Sequence, residues 1–261
     1  MTARVIGASL VVLLLALAPA SAGASATRPP VALTATPAHV GLAGNARASV
    51  RIVNTGSARV VVDVRTAGFA LDLRGRPRIV KASEVRRSAA TWLRLRPRML
   101  VLAPGAASSV SIASRLPRRA EPGDHDALVL FTTRQRVQDG VAVRMRVGVV
   151  VVVRAPGAVV RRLELGGLRV ARSGRVRTLE LVVANRGTVT ESVTRDAIVV
   201  TLSRSGRRLA RLTAVPRTLR PGTRGVVQFR CPARVSGALR ASVEVRSGAP
   251  GGFRRTYRIR V

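Results

Sequence analysis

The stretch that decides the fold is Val50-Arg-Ile-Val-Asn-Thr-Gly-Ser-Ala-Arg-Val-Val-Val-Asp-Val64. Apolar residues occupy alternate positions on both sides of Asn54-Thr-Gly56. Such alternation is typical of half-buried strands, because successive side chains of a strand face opposite sides. Asn and Gly tolerate positive φ at a tight turn, so the stretch predicts a β-hairpin.

The same pattern of turns occurs twice along the chain. The path from Asn54 to Pro104 is longer than the path from Asn185 to Pro221, which assigns extra material to the first copy at roughly residues 68–95. Connections on a sandwich often carry binding, so we expect binding to reside in that extra material. Chance recurrence of common turn residues is the alternative to a true repeat. The landmarks are Asn54-x-Gly56, Leu102-x-Pro-Gly105 and Gly123, then Asn185-x-Gly187, Leu219-x-Pro-Gly222 and Gly237.

Short alternating strands with frequent turns predict an all-β fold of two tandem immunoglobulin-like antiparallel β-sandwiches. We expect the first over residues 27–154 and the second over residues 158–261, joined at Ala155-Pro156-Gly157. Proline restricts φ and glycine widens it, which suits a short elbow between domains.

The first 26 residues have the pattern of a secretory signal peptide. Arg4 precedes an apolar run from Val5 to Ala18, and two small-x-small cleavage sites follow it. An uncleaved anchor is the alternative. No later run is as long as a membrane span, so we expect no stable transmembrane anchor and a secreted protein, extracellular or associated with the cell wall.

Cys231 is the only cysteine, which excludes an intrachain disulfide; a partly buried thiol is expected there rather than an intermolecular bridge.

The chain of 261 residues has 46 Lys and Arg against 12 Asp and Glu, a formal net charge of +34. Lys81 is its only lysine. A protein this basic attracts polyanions: nucleic acid, an anionic membrane or an anionic cell-wall polymer. Six aromatic residues are few for stacking on single strands, and no zinc-finger or helix-turn-helix pattern occurs, so no specific nucleic acid is expected.

The sequence offers little for catalysis, and we predict no enzyme, no cofactor and no metal. The two histidines, His39 and His125, lie far apart, and no Gly-x-Ser-x-Gly elbow occurs. Asp124-His125-Asp126 is the one acidic cluster with a histidine. On a strand the two aspartates share one face and the histidine opposes them, which is poor metal geometry, so a solvated turn before Ala127 is the expectation.

Trp92 could stack on a sugar, but a lone Trp in an immunoglobulin-like sandwich is expected in the core. Arginines alternate with apolar residues in several strands, as on the solvent face of a half-buried sheet. Together they still require anions, because like charges repel. The candidate ligand-binding residues border the loops of the first domain: Arg94, Arg96, Arg98, Arg118 and Arg119.

Four stretches together resemble the actinobacterial branch of the WxL-protein peptidoglycan-binding domain family. They are Ser88-Ala-Ala-Thr-Trp92, Leu102-x-Pro-Gly105, Ala120-Glu-Pro-Gly-Asp-His125 and Val147-Gly-Val-Val-Val-Val-Val-Arg-Ala-Pro-Gly157. That family is similar to the first domain of pilus chaperones, and the domain that contains Asn185-Arg-Gly187 resembles the second immunoglobulin-like module that such proteins carry. The resemblance implies an exported protein that binds cell-wall material. Two features depart from the family: there is no Trp-x-Leu motif, and where family members usually continue into a membrane anchor the sequence ends at Arg260-Val261, which is predicted to be a strand.

The favoured hypothesis is a secreted, non-catalytic cell-surface protein that binds peptidoglycan or an anionic cell-wall polymer. The alternative is a chaperone-like or scaffold module that binds a partner protein, such as another surface protein, by strand-edge addition. An enzyme or a nucleic-acid binder is the least favoured class.

Overall fold

The computed structural model describes residues 29–138, 141–246 and 252–261. The predicted signal peptide lies outside these residues. The first part of the described chain forms twelve strands and one short 3-10 helix, Ala82–Glu84. The strands are β1 (Leu33–Thr36), β2 (His39–Ala43), β3 (Arg47–Asn54), β4 (Val60–Leu71), β5 (Pro77–Val80), β6 (Leu93–Arg96), β7 (Met99–Leu102), β8 (Ala107–Ser114), β9 (Gly123–Thr133), β10 (Arg136–Gln138), β11 (Val141–Val143) and β12 (Arg146–Ala155).

Ten of these strands form the two layers of the first sandwich, here called domain one, and β10 and β11 form a separate hairpin. One sheet has the order β1-β3-β8-β6. The other has the order β2-β12-β9-β4-β5, with β7 also pairing with β4. The pairs are antiparallel except β2 with β12, which run parallel. The N-terminal segment changes sheets at Pro37, between β1 and β2, because proline cannot donate to a ladder.

The second sandwich, domain two, contains nine strands. Its sheets have the orders β13-β14-β19 and β17-β16-β20-β21, with a small β15-β18 pair beside them. The strands are β13 (Leu163–Ser173), β14 (Val176–Asn185), β15 (Glu191–Val193), β16 (Ile198–Arg204), β17 (Arg207–Thr213), β18 (Arg217–Leu219), β19 (Arg224–Cys231), β20 (Ala238–Val245) and β21 (Phe253–Arg260). The predicted fold class, two tandem immunoglobulin-like sandwiches, is therefore confirmed.

Each sandwich has its own apolar core. The buried clusters comprise residues between Leu33 and Val153 in domain one and between Leu163 and Val261 in domain two. Phe131 and Phe229 are fully buried in the respective cores. Each buried aliphatic or aromatic side chain contributes about 1.5–3 kcal/mol, so two cores of this kind can hold the fold without a disulfide. The domain limits given by residues 27–154 and 158–261 stay a prediction.

The predicted hairpin around Asn54 is wrong, although both strands exist. β3 pairs with β1 and β8, whereas β4 pairs with β9, β7 and β5. The stretch from Asn54 to Ala58 thus crosses from one sheet to the other as a β-arch. Alternation predicted which residues face the core correctly, since Val50, Ile52 and Val62 are fully buried. Alternation alone does not distinguish strands paired in one sheet from strands stacked across two sheets.

The arch is held by the side chain of Asn54, which is fully buried. Its Nδ2 donates to the carbonyl oxygens of Ala58 at 2.8 Å, Leu102 at 3.1 Å and Ala103 at 3.1 Å. Its Oδ1 accepts the N–H of Gly56 at 3.0 Å. Gly56 is required by space rather than by positive φ, because a Cβ there would lie 2.7 Å from the oxygen of Pro30. Hydrogen bonds therefore join the arch and the Leu102-x-Pro-Gly105 turn into one unit.

Domain two repeats this unit. Asn185 is also fully buried, and its Nδ2 donates to the oxygens of Val189 at 2.8 Å and Leu219 at 2.9 Å. Its Oδ1 accepts the N–H of Gly187 at 2.8 Å. The glycine of each Pro-Gly turn donates its N–H to the asparagine's own carbonyl, at 2.9 Å in both domains. The Asn-x-Gly and Pro-Gly landmarks of the sequence therefore correspond to the same contacts in the two domains.

Candidate functional site

The Asp124-His125-Asp126 cluster lies at the joint between the domains. The expectation of a solvated turn is wrong: the three residues are 1 %, 4 % and 8 % exposed and belong to β9. Domain two covers the two aspartates: its Thr188 oxygen accepts the N–H of Asp124 at 2.8 Å, and its Arg220 pairs with Asp126. The sequence could not show this, since the covering residues are more than sixty positions away.

Asp124 ties the end of β12 to domain two. Its carboxylate accepts Nε and Nη2 of Arg154 at 2.7 and 3.1 Å, and the N–H of Thr190 at 2.8 Å. Burial alone would raise the pKa of Asp124, but the hydrogen bonds from Arg154 and Thr190 outweigh it and hold that pKa below its ordinary value. The ionised carboxylate is thus part of the joint.

Asp126 forms an ion pair with Arg220 of domain two. The Arg220 guanidinium also stacks 4.5 Å from the ring centroid of Phe69, in domain one. Burial raises the pKa of Asp126 in spite of this partner, because removing a carboxylate from water is costly. The pair and the stacked ring fix the second domain against the first.

His125 faces the other way, as the alternation predicted. Its Nε2 lies 2.8 Å from the backbone oxygen of Glu121, and its ring centroid is 4.3 Å from that of half-buried Trp92. Burial lowers the pKa of His125. Trp92 packs against the core of domain one. Across residues 29–138, 141–246 and 252–261, no group of three or more His, Cys, Asp and Glu could hold a metal ion. Asp124 and Asp126 therefore hold the two domains together, whereas His125 packs within domain one.

Part of the extra material of domain one also contributes to this joint. The turn between β4 and β5 places the Leu73 oxygen 2.7 Å from the N–H of Val226. Arg74 lies 3.4 Å from the carboxylate of Glu180, which is 2 % exposed. Part of the extra material, in which binding was expected, therefore contacts domain two and helps to join the domains. The C-terminal end of the extra material, at Arg94, lies on a different surface of domain one.

That surface is an open groove along the outside of the β1-β3-β8-β6 sheet, here called the arginine groove. Pairing places Arg47 opposite Ala113, and Ala113 opposite Arg94. The next outward row joins Ser49, Ser111 and Arg96 in the same way. The arginines that line the groove are Arg47, Arg94, Arg96, Arg98 and Arg115.

The lining of the arginine groove contains no carboxylate. The buried side chain of Ser114 fixes the backbone beside the groove. Its Oγ donates to the Gly44 oxygen at 2.7 Å and accepts the N–H of Ala46 at 2.9 Å. Arg94 donates to the backbone oxygen of Thr91 at 3.0 Å, which directs its guanidinium along the rim. Five exposed guanidinium groups around one groove form a surface that attracts anions.

Three of the five predicted site residues, Arg94, Arg96 and Arg98, meet at this groove. Arg118 and Arg119 are exposed on the loop after β8 and do not line it. Sequence reasoning missed Arg47 and Arg115, which border β3 and β8. Only the register that places β8 between β3 and β6 brings them to the same groove, and that register was not predicted.

Within the described part of the chain, no helix has the length and apolar character needed to cross a bilayer. Twenty-one strands account for nearly all of its regular structure.

Comparison with known proteins yields structural likeness only. No family model matches the chain, so the resemblance to the WxL branch stays a prediction. No curated protein matches either. The similar solved structures include chaperones of fimbriae and pili and their complexes.

One such structure is a chaperone-tip adhesin complex of CFA/I fimbriae biogenesis, with a TM-score of 0.48, 11 % identity, and coverage of 86 % of this chain and 98 % of that chain. The Escherichia coli chaperone DraB has a TM-score of 0.44 at 12 % identity, covering 88 % and 98 %. The Salmonella enterica SafA pilin with the SafB chaperone has a TM-score of 0.45 at 12 % identity, covering 88 % and 97 %. At this level, the likeness concerns only the general arrangement of strands.

Proposed function

We propose that this protein is a non-catalytic binding protein that holds an anionic polymer in the arginine groove of domain one. The observation that carries the proposal is the lining of that groove, five arginines with no carboxylate. A guanidinium presents several N–H donors in a planar fork and binds carboxylate or phosphate oxygens in pairs. Five such groups on one rigid sheet suit a ligand with repeated negative charges.

The expected ligand is an anionic cell-wall polymer or peptidoglycan, at the cell surface after export. The signal-peptide pattern of residues 1–26 and the net charge of +34 support that location and that ligand class. An arginine near an anionic surface contributes about 1 kcal/mol, and added salt weakens the contribution. Binding by the groove is therefore expected to be strong at low salt and to weaken steadily as salt rises.

A pull-down with purified wall sacculi across a salt series tests this proposal. The groove variant Arg47→Gln, Arg94→Gln, Arg96→Gln removes three charges from the outward rows. Its matched control removes three exposed arginines of domain two, Arg172→Gln, Arg175→Gln and Arg234→Gln, which have no ion pair within the described residues. We expect low-salt retention by the wild type and the control and loss by the groove variant. Failure of the wild type to be retained at low salt would refute wall binding.

A second candidate function is binding of a partner protein by strand-edge addition, and it rests on the edge of β12. β2 pairs with β12 only from Val150 onward, so Arg146–Val149 have no strand on that side within the described residues. An extended partner segment could add there through backbone hydrogen bonds. The similar structures include a chaperone with a tip adhesin and a chaperone with a pilin, which agrees better with this candidate than with wall binding.

Replacement of Gly148 distinguishes the two candidates. The N–H of Val150 donates to Ala38 on the β2 side, and alternate residues share a side, so the N–H of Gly148 points to the free edge. Gly148→Pro removes that donor, whereas Gly148→Ala keeps it and has room for its Cβ. If an edge partner exists, it co-purifies stoichiometrically at high salt with the wild type and the alanine variant but not with the proline variant. Equal recovery with all three would exclude this edge.

A further inference from the structure

Domain two carries a second surface of arginines on the outside of its β17-β16-β20-β21 sheet. Strand pairing aligns Arg208 with Ser203, Ser203 with Arg240, and Arg240 with Arg258. All three arginines are exposed, and the neighbours Leu239 and Ala241 are buried. These side chains therefore form one outward row across four strands, about 14 Å long at 4.8 Å per strand. We call this surface the domain-two face.

A bulge in β17 adds a further arginine to the face. The register shifts between Leu202 and Ser203, so that Ser203 lies opposite Arg208 and Thr201 lies opposite Arg211. Both arginines are exposed, while Leu209 and Ala210 between them pack against the core. Without the bulge, residues three apart would point to opposite sides of the sheet. The irregularity thus places Arg211 on the same side as Arg208.

The second row of the face consists of hydroxyl groups. Thr201 lies opposite Ser242, and Ser242 lies opposite Thr256. This row is two residues, about 6.8 Å, from the arginine row. Glu244 is the only carboxylate that the described register places on the face, at its far end, and it is already bound by Arg246 at 2.9 Å and Arg254 at 3.8 Å. The charge of Glu244 also acts on Arg211. The arginine row of Arg208, Arg240 and Arg258, in contrast, has no ion pair within the described residues.

Arg240 and Arg258 lie directly opposite each other in the ladder. Like charges in directly opposite positions destabilise a sheet, because their Cβ atoms are only about 5 Å apart. Neither residue has a carboxylate partner within the described residues. Repulsion of this kind is relieved when an anion binds between the two guanidinium groups. The two arginines therefore repel each other less when an anion is bound between them than in the free protein.

We propose that the domain-two face is a second, separate binding surface, and that its ligand is a linear phosphodiester polymer without bases. Phosphate oxygens match the guanidinium forks and the hydroxyl donors. A row of arginines about 14 Å long beside a row of hydroxyl groups suits repeated charges on a linear chain better than a single small anion. The residues of the face include no aromatic side chain for base stacking and no exposed large apolar side chain for insertion into a membrane.

Binding of labelled poly(glycerol phosphate) to the full chain tests the proposal. The face variant Arg208→Gln, Arg240→Gln, Arg258→Gln removes three charges, and the variant at Arg172, Arg175 and Arg234 is again the matched control. We expect the face variant to lose affinity on the order of a hundredfold at low salt, from three arginine contacts. We also expect the slope of log affinity against log salt to become shallower by about 2. A loss within fivefold of the control's would overturn the proposal.

A single charge reversal separates binding from a structural role. Arg258→Glu places an opposite charge against Arg240, so the unfolding midpoint should rise while polymer affinity falls. A fall in both would show that these arginines hold the sheet together and would overturn the proposal. The groove variant of domain one, measured with the same polymer and with sacculi, reports on the proposed function separately. Base-free polymer should bind more tightly than oligo(dT) of equal charge, and the reverse order would refute the ligand class.

Discussion

Domains one and two contain the same internal unit of hydrogen bonds but expose different arginine surfaces. In each, a buried asparagine ties a β-arch to a Leu-x-Pro-Gly turn, and the hydrogen bonds of Asn54 and Asn185 have the same partners in kind. The outward arginines, however, lie on the sheet that contains β3 in domain one and on the sheet that contains β16 in domain two. The comparison shows that the arch constrains the inner faces and leaves the outer faces free to differ.

The two domains differ also in the path from arch to turn. Domain one inserts β5 and the 3-10 helix Ala82–Glu84 before β6, whereas domain two goes from β16 to β18 by way of β17 alone. The inserted turn contacts domain two at Val226 and Glu180. Additional chain in one copy of the repeat thus makes the contact that joins it to the other copy.

The largest expected effect comes from breaking the joint between the domains. Asp126→Ala leaves Arg220, whose side chain is 13 % exposed, without its partner, and should cost about 3–5 kcal/mol. The double variant Asp126→Leu, Arg220→Leu should recover most of that loss, because burial of both charges is itself costly. Calorimetry of the single and double variants measures both effects. An equally unstable double variant would show that the ion pair contributes net stability.

The next effect tests whether the two arches are equivalent. Asn54→Ala and Asn185→Ala each leave several buried carbonyl groups without a donor and should cost about 3 kcal/mol. Exposed Thr55→Ala, in the same arch, is the control and should stay within about 0.5 kcal/mol of the wild type. Chemical denaturation gives the free energies of unfolding. A much smaller loss at one asparagine would show that the repeated unit is not equally important in both domains.

A smaller loss of stability is expected from alanine substitution of two glycines, one limited by space and the other by backbone strain. A Cβ on Gly187 would collide with the oxygen of Val160, although its φ is not positive. Gly222 has a φ of +71° with open space around it. Gly222→Ala should cost about 1–2 kcal/mol from strain alone, and Gly187→Ala should cost more, because backbone must move. Equal losses would contradict the close approach in the arch.

The smallest effect is a dependence on pH at the joint. Because the pKa of folded Asp124 lies below its ordinary value of 3.8, its ionised form stabilises the protein at neutral pH. That contribution is lost as the pH falls below about 4, through the folded-state pKa. Asp124→Asn should therefore lower the Tm at pH 7 and reduce its fall on acidification. Asp126→Asn is the contrasting variant, since the raised pKa of Asp126 acts in the opposite sense.

Alternation along the chain was sufficient to predict the strands, the inward residues such as Ile52 and Val62, and the tandem arrangement. It was insufficient for pairing, because period-2 alternation is the same for strands in one sheet and for strands in two stacked sheets. The arginine groove was predicted in part, since Arg94, Arg96 and Arg98 are close in sequence. Arg47 joins them only through the register of three strands. The burial of Asp124 depends on a second domain, and no local pattern reports it.

The parallel pairing of β2 with β12 has a mechanical consequence. A pull on the N-terminal side of β2 and on the C-terminal side of β12 draws two parallel strands past each other, so their hydrogen bonds are loaded together rather than one after another. Five residue pairs, from His39 opposite Val150 to Ala43 opposite Arg154, share such a load. The described strands of domain two pair only in antiparallel fashion. A protein held by a polymer at one end and pulled at the other would therefore have, in domain one, an element that resists force applied along the chain.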